Sequence, residues 1–172
     1  MMTAKRLKEL ADMAIVPDPM SQVALDELMN PELIRQQLKT EFEKHLRAKE
    51  SLEGLVARIQ RVSGKSSSRA RAIARTEKTR AVNGERFARI VNDYLDRMDK
   101  ARKGHRRRPD RPLITWIDPR TAKTPRHEHV AISGRTIPVG EEFMHNLHYP
   151  GDPQAPIEQV VNCHCYIRLK SR

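Results

Sequence analysis

The sequence has few aromatic residues, only two cysteines and no long apolar run. Aromatic residues make up 4% and hydrophobic residues 38% of the 172 residues, below the usual apolar share of about 45–50%, so we expect a small core and much solvated surface. No uncharged apolar stretch approaches the roughly 20 residues of a bilayer span, which excludes that kind of membrane protein. The first residues carry frequent charges and lack the apolar stretch of a secretory signal, so we expect a soluble protein.

Basic residues are concentrated in one part of the chain. Lys and Arg number 33 against 22 Asp and Glu, a formal net charge of +11. Residues 1–60 carry 9 basic and 10 acidic side chains, residues 61–111 carry 17 and 6, and residues 112–172 carry 7 and 6. So local an excess is typical of a surface that binds nucleic acid without sequence specificity. A solvated helix followed by a basic linker is the alternative interpretation.

The N-terminal third has the composition of helices interrupted by proline. Residues 3–14 and 21–60 are rich in straight-chain helix formers, which predicts two short helices and then a longer one that starts after Pro31. In the longer one the apolar residues recur at helical spacing, with a break near Ser51. A turn with good N-cap residues then predicts a new helix from about Ser68.

The helix from Ser68 has the clearest pattern of the chain. Its apolar and small residues follow spacings of three and four, which makes one narrow face that a neighbouring backbone can approach closely. Glu77 lies on this face, where an unpaired carboxylate is costly, so we expect it to have a partner or to border a site. The face consists of Ala70, Ile73, Glu77, Ala81, Gly84, Ala88, Val91, Leu95 and Met98.

The basic excess is greatest at the end of this helix and in the segment after it. From Lys100 to Arg111 the chain has no apolar periodicity, so we expect an exposed, mobile loop. We expect its basic groups, and others on the polar faces of the helix, to contact DNA phosphates. The predicted DNA-binding residues are Arg86, Arg89, Arg102, Lys103, Arg106, Arg107 and Arg108.

Short apolar runs in the last third predict strands. Residues 113–117 form the clearest one, and shorter candidates lie at 130–137 and 160–169. Trp116 shares a strand face with Ile114 and should be a core anchor rather than a platform for stacked bases. The fold class is therefore α+β: an N-terminal helical arm, then a long helix packed on a small, loop-rich β region with short strands.

Both cysteines lie in the last candidate strand, and a disulfide between them would close a small, strained ring. Cys163 and Cys165 point to the same side of that strand, and two thiolates with one histidine are a sound start for a zinc site. The third ligand would be His129 or His127, and the fourth Asp118 or a second histidine. Reduced cysteines packed in a small core are the alternative interpretation.

The histidines also allow a different hypothesis, a metal-dependent nuclease or toxin-like enzyme. His127 and His129 would then act as base or as metal ligand beside a basic surface. No phosphate loop, nucleophile elbow or metalloprotease helix accompanies them. We therefore expect no enzyme activity.

Several motifs occur in order between residues 65 and 172. They are Ala74-Arg75-Thr76-Glu77, Arg80-Ala81 and Asn83, then Trp116-Ile117-Asp118 and Arg120-Thr121, then His129-x-x-Ile132-x-Gly134, Tyr149-Pro150-Gly151-Asp152-Pro153 and Val161-Asn162-Cys163-His164-Cys165. This series resembles the Mu F-like head morphogenesis domain of minor head proteins in tailed double-stranded DNA phages. The last two motifs are its most specific part. The segment before the histidine is longer than the family pattern, which leaves His127 and His129 both open as the matching residue.

The resemblance implies a minor capsid protein of the virion interior. Such a protein lies near the portal, contacts packaged double-stranded DNA and aids head morphogenesis, DNA packaging or ejection, and the resemblance implies no enzyme activity. Residues 1–62 would form a helical arm that binds the portal or oligomerises, and residues 65–172 the Mu F-like domain. The implied partners are DNA, the portal protein and a scaffold or major capsid protein, with assembly in the host cytoplasm.

The motif residues Thr76, Glu77, Asn83, Trp116, Asp118 and Asn162 are expected to have structural roles. Two of them, Glu77 and Asp118, should lie close to His129, Cys163 and Cys165, as a polar core or a metal site. A separation above about 10 Å between Cys163 and His129 would exclude shared zinc ligation, because metal bonds are only about 2.0–2.3 Å long. The basic segment has one further interpretation, as a surface that binds an acidic face of the portal or scaffold.

Overall fold

The computed structural model describes residues 2–15, 31–48, 51–144 and 146–170. The protein is α+β, as predicted, with a long helix and a small antiparallel sheet. Its helices are α1 (Ala4–Ile15), α2 (Pro31–Ala48), α3 (Leu52–Ser63), α4 (Ser67–Lys103), α5 (His127–Ala131) and α6 (Ile157–Val160), and its strands are β1 (Leu113–Ile117), β2 (Thr136–Pro138) and β3 (Tyr166–Leu169). No helix in these ranges has both the length and the apolar character needed to cross a membrane.

Local sequence signals explain where the N-terminal helices begin and end. Ser51 caps α3 by accepting the Gly54 amide at 3.2 Å, and Gly64 ends the helix in the left-handed conformation with φ 66°. These caps confirm the predicted break near Ser51 and the predicted helix start near Ser68. The short helix predicted between residues 21 and 30 lies outside the described residues.

The chain divides into two compact units, and the boundary falls within α4. One unit spans Pro17–Lys78, and the other consists of Met1–Val16 and Thr79–Arg172. This division differs from the boundary near residue 64 suggested by the sequence, because α1 belongs with the C-terminal part of the chain. In the first unit the helices bury Leu38, Phe42, Leu55, Val56, Ile59, Ala70 and Ala74.

One face of α1 is buried in the core of the second unit. Leu7, Leu10, Ala11 and Ala14 recur at helical spacing and are at most 7% exposed. Gly84 of α4 lies so close to α1 that a Cβ atom there would be 2.3 Å from the Ala14 carbonyl oxygen. The predicted close approach of a backbone to the small residues of this helix face is therefore confirmed.

The sheet of this unit has the order β2-β1-β3, with both pairs antiparallel. Ile114 of β1 lies opposite Ile137 of β2, and Trp116 lies opposite Ile167 of β3. Ile114 and Trp116 share one face of β1 and are 0% exposed. Trp116 is thus a core anchor, as predicted.

Helix α4 buries a second stripe that the sequence pattern did not indicate. Arg80, Asn83, Phe87, Ile90 and Tyr94 follow spacings of three and four and are at most 8% exposed. The helix has two buried sides because α1 covers the side of Gly84, while the C-terminal loops cover the other. The contact of Phe87 with the Tyr149 ring, 4.9 Å between centroids, is an example of the second side.

The ends of some predicted elements were wrong. The loop predicted from Lys100 begins at Gly104, because the Gly104 amide still donates to the Lys100 carbonyl at 3.0 Å, as in a helix. The candidate strand at 130–137 is a strand only from residue 136, and it continues one residue further, to 138. The candidate at 160–169 is a strand only over 166–169. A short helix precedes each of these two strands. Short apolar runs have similar compositions in helices and in strands, so the sequence did not separate the two.

Candidate metal centre

His129, Cys163 and Cys165 meet in one buried cluster in the second unit. The Nδ1 atom of His129 lies 3.6 Å from each of the two sulfurs. The three potential ligand atoms all lie within 4.8 Å of one another, and the residues are 2%, 2% and 5% exposed. The predicted meeting of this histidine with both cysteines is therefore confirmed, at a distance well below the limit that would exclude a shared metal ion.

Helix α5 selects His129 over His127. No helix was predicted here from the sequence, but residues 127–131 form a single helical turn. Residues two apart on a helix point in nearly opposite directions, so His129 is buried whereas His127 is exposed. This difference settles the choice between the two histidines that the sequence left open.

The cysteines lie in an extended segment between α6 and β3. Asn162 adopts the left-handed conformation, with φ 53°, a backbone shape that asparagine tolerates better than most residues. It turns the chain so that the Cys163 amide donates to the Val160 carbonyl at 3.3 Å. The alternation of the extended chain then places Cys163 and Cys165 on the same side.

Polar side chains of α4 hold the backbone of both cysteines. The Thr79 hydroxyl donates to the Cys163 carbonyl at 2.7 Å, and the Asn83 amide donates to the Cys165 carbonyl at 3.2 Å. The Asn83 carbonyl oxygen also accepts the Ile167 amide at 3.1 Å. Asn83 was among the predicted motif residues, whereas Thr79 was missed because a threonine in a helix carries no distinctive signal.

Gln159 and Glu128, which are hydrogen-bonded to each other, orient the His129 ring through its Nε2 atom. The Gln159 amide nitrogen lies 2.6 Å from a carboxylate oxygen of Glu128, which can only accept when ionised. The Gln159 carbonyl oxygen therefore faces His129, 3.0 Å from Nε2, and that nitrogen must donate. Nδ1 is the ring atom left to face the sulfurs, which is the arrangement found in metal-binding histidines.

The two thiols differ in acidity. Cys165 donates a hydrogen bond to Cys163, and this bond lowers the pKa of Cys163 to about 5, with His129 adding to the effect against the opposing effect of burial. The same bond, together with burial, raises the pKa of Cys165. A lowered thiol pKa favours the thiolate, the form of cysteine that binds metals.

Trp116 and Asp118 border the cluster. The indole nitrogen of Trp116 is buried and makes no hydrogen bond of regular geometry to a described residue. Its proximity lowers the pKa of Cys165, against the larger effects that raise it. An indole N–H beside a sulfur fits a site in which that sulfur becomes a metal-bound thiolate and accepts a hydrogen bond.

Asp118, predicted as a fourth ligand, faces its own loop. Its carboxylate accepts the Arg120 amide at 2.8 Å, and its amide donates to the Ser133 hydroxyl. Its charge contributes to the raised pKa of Cys165, but it is outside the three-residue ligand group found among the described residues.

Thr76 and Glu77, the remaining motif residues, belong to the other unit. Both are buried, at 4% and 5% exposed. The Thr76 hydroxyl donates to the Ala72 carbonyl one turn earlier, at 2.8 Å. Of the five residues expected to form one cluster, His129 and the two cysteines meet, and the charge of Asp118 acts on Cys165.

The predicted DNA-binding residues have different surroundings. Arg86 donates to the Ile167 carbonyl at 2.6 Å and lies over the Tyr166 ring, so it supports β3. Arg102 and Lys103 form ion pairs with Asp99, at 3.0 and 2.6 Å. The exposed predicted residues are Arg89, Arg102, Lys103, Arg106, Arg107 and Arg108.

Comparison with known proteins adds no relative to this description. No protein-family model, curated protein or solved structure matches the chain. The three-residue cluster and the basic surface are therefore the features from which a function can be inferred.

Proposed function

We propose that this chain is a minor head protein of a tailed double-stranded DNA phage, of the Mu F-like type. It lies inside the capsid near the portal, binds packaged DNA without sequence specificity, and aids head morphogenesis, packaging or ejection. The observation that supports this proposal is that motif residues from four separate segments of the chain contact one another around the His-Cys cluster. These contacts are what a motif that maintains a fold requires, since its members must meet despite their separation in sequence.

The contacts join α4, β1, α5 and the C-terminal motifs. Asn83 holds the Cys165 backbone, and the Trp116 ring packs edge-on against His129, with 5.1 Å between centroids. Gly151, in the left-handed conformation with φ 85°, allows its loop to lie against α4, where a Cβ would be 2.7 Å from Arg80 Cα. These residues are buried, and their contacts hold the fold together. They therefore favour a structural protein over an enzyme.

Zinc is the metal that we assign to the cluster. With Zn–S bonds of about 2.3 Å and Zn–N bonds of about 2.0–2.1 Å, tetrahedral angles place sulfur and nitrogen about 3.5 Å apart. His129 Nδ1 lies 3.6 Å from both sulfurs, which matches this separation. Two sulfurs and one imidazole are a donor set that zinc accepts, and buried ligands are typical of a structural ion. The ion would link α5 to the segment before β3.

Elemental analysis of the purified protein tests this assignment. We expect about one zinc per chain, and none after the double substitution Cys163→Ser/Cys165→Ser. Serine at both positions keeps the side-chain shape but removes the thiolates. A metal-free wild-type protein that also takes up no added zinc would refute the assignment.

Binding to DNA is tested with fluorescent duplexes of unrelated sequence and equal length. Because the contacts are to phosphates, we expect similar affinities for all duplexes and a linear fall of log K with log salt concentration. Strong preference for one sequence, or no binding at low salt, would contradict the proposal. Mass spectrometry of particles purified from a phage whose genome encodes the chain tests whether the protein is part of the virion.

A metal-dependent nuclease is the second candidate, because three protein ligands leave one of four zinc positions for a water or substrate. Incubation of plasmid DNA with the protein and zinc or magnesium distinguishes the two functions. Cleavage that is lost in His129→Ala would support the enzyme, whereas a gel shift of intact plasmid would support the structural protein.

A further inference from the structure

The end of α4 folds back in a tight cap that places two arginines beside the preceding turn. The Arg106 amide donates to the Ala101 carbonyl at 2.8 Å, and the His105 amide donates to the Arg102 carbonyl at 3.3 Å. His105 adopts the left-handed conformation, with φ 50°. This is the hydrogen-bond pattern by which helices reverse the chain at their C-terminus, and it satisfies carbonyls that would otherwise repel an anion.

The cap brings the side chain of Arg106 close to Gly104. A Cβ on Gly104 would lie 3.7 Å from both Cγ and Nε of Arg106, so the arginine stem passes directly over the glycine. An arginine held against the backbone loses less side-chain entropy on binding a ligand than one that extends into solvent. The same turn directs Arg107 to the same side of the helix end.

These arginines line a groove with two residues of α4. Its volume is about 420 Å³, and its charged lining residues are Arg97, Lys100, Arg106 and Arg107, with no acidic side chain among them. The rest of the lining is Ala101, Gly104 and Pro109. Two neighbouring grooves also include Arg97 but contain Asp93 and Asp96, or Asp110. Of these three grooves, the one at Arg106 is therefore the one whose charged lining residues are all basic.

The four basic groups of the groove are not neutralised by carboxylates. Within the described ranges, no ion pair joins any of them to an acidic residue, and Arg97 uses only Nε, to the Asp93 carbonyl at 3.3 Å. Arg102 and Lys103, one turn away, differ because both are paired with Asp99. A phosphate that approached Arg102 or Lys103 would have to compete with that carboxylate, whereas in the groove it would not.

We infer that this groove is a binding site for a backbone phosphate of DNA, formed by Arg97, Lys100, Arg106 and Arg107. The inference rests on the proposed DNA-binding function and adds two residues, Arg97 and Lys100, that the charge pattern did not single out. A guanidinium group can donate two parallel hydrogen bonds to two oxygens of one phosphate. The groove is open, so it can accept a phosphodiester without contacting the edge of a base. Arg102 and Lys103 contribute less, although they carry the same charge.

Two double variants with equal loss of charge test the inference. Arg97→Ala/Lys100→Ala removes two groove residues, and Arg102→Ala/Lys103→Ala removes the two that pair with Asp99. We expect the groove variant to bind a 16-base-pair duplex at least about tenfold more weakly at moderate salt, and to lower the salt slope by about one. The control variant should lose less than about threefold. Circular dichroism checks that α4 is retained in both.

The possible outcomes separate the site from the function. If wild-type protein binds DNA but the control loses as much affinity as the groove variant, the groove inference is wrong and the proposed function stands. If wild-type protein binds no duplex at low salt, both are wrong. Equally tight binding of polyglutamate, with the same difference between the variants, would identify an acidic protein surface as the ligand and overturn the phosphate site.

A direct readout uses inorganic phosphate as the probe. Titration of wild-type protein should shift the side-chain NMR signals of Arg97 and Arg106, while the signal of Arg102 moves less. Equal shifts of all three signals would indicate general screening and would count against a defined site.

Discussion

The Nε2 atom of His129 lies 3.0 Å from Oε1 of Gln159, a residue 30 positions later in the chain. Because Gln159 also donates to Glu128 at 2.6 Å, its amide cannot turn around without placing its oxygen against the carboxylate. The Glu128 carboxylate thus determines, through one amide, that Nε2 of His129 carries the proton and that Nδ1 faces the cysteines without one. Gln159 is a positioning residue for the metal centre although it touches neither sulfur.

Replacing Gln159 by leucine should weaken zinc binding without removing a ligand. The His129 ring would lose the acceptor that holds Nε2, and loss of such a partner typically costs 10-fold to 100-fold in metal affinity. Competition with a chromophoric chelator at neutral pH measures the effect. Gln154→Leu is the control, since that half-buried glutamine accepts only from Arg6 near the surface. Equal affinities of wild type and Gln159→Leu would show that the amide does not orient the ring.

Removal of zinc should destabilise the C-terminal unit. A ligand that binds only the folded state at 100 times its Kd adds about 2.7 kcal/mol of stability, equivalent to a rise of about 5–10 °C in the unfolding temperature of a protein of this size. Thermal unfolding with zinc, and again with chelator, measures the difference. The Cys163→Ser/Cys165→Ser variant should unfold at the same temperature in both conditions. A wild-type unfolding temperature that zinc leaves unchanged would contradict a structural ion.

Gly84→Ala should destabilise the protein even though alanine favours helices. Helix propensity alone would stabilise by about 1 kcal/mol, but the new Cβ would lie 2.3 Å from the Ala14 carbonyl oxygen, which is backbone and cannot move alone. Helix α1 would have to shift and loosen Leu7 and Leu10, so we expect a net loss of about 2–3 kcal/mol. Urea unfolding measures it, with the exposed Val82→Ala as control, expected within about 0.5 kcal/mol. A more stable Gly84→Ala protein would show that α1 does not pack there.

Much of the local structure follows from short-range signals. The break near Ser51, the helix start near Ser68 and the strand at 113–117 depend on residues within a few positions, and the sequence predicts them. The same holds for Trp116, whose burial follows from its strand face. The two cysteines could be predicted to share a side, because alternation along an extended chain is a local rule.

The missed features depend on contacts between distant residues. The composition of residues 3–14 predicts a helix, but it does not identify the core against which the buried face of α1 packs. Gln159 has no distinctive neighbours in sequence, and only the fold brings it to His129. The sequence suggested Asp118 as a metal ligand. In the structure its carboxylate accepts the Arg120 amide in a local turn, and a charge count does not reveal such a turn.

Alkaline pH should destabilise the protein through Tyr149. Burial, and to a lesser extent the Asp152 carboxylate, raise the pKa of Tyr149 well above its ordinary value of 10.0, against a smaller opposing effect of Arg80. Above pH 10 the unfolded chain releases this proton while the folded chain keeps it. The contribution to stability is therefore complete below pH 10 and falls above it, at about 1.4 kcal/mol per pH unit for one group.

The substitution Tyr149→Phe isolates this effect, because it keeps the ring that packs on Phe87 and removes the ionisable hydroxyl. Urea unfolding between pH 9 and 11.5 should show a shallower loss of stability above pH 10 in this variant than in wild type. The Tyr166→Phe variant, which removes a partly exposed tyrosine, should lose stability as steeply as wild type does. If Tyr149→Phe and wild type lose stability in parallel over this range, another buried group is responsible and the phenol of Tyr149 ionises without unfolding.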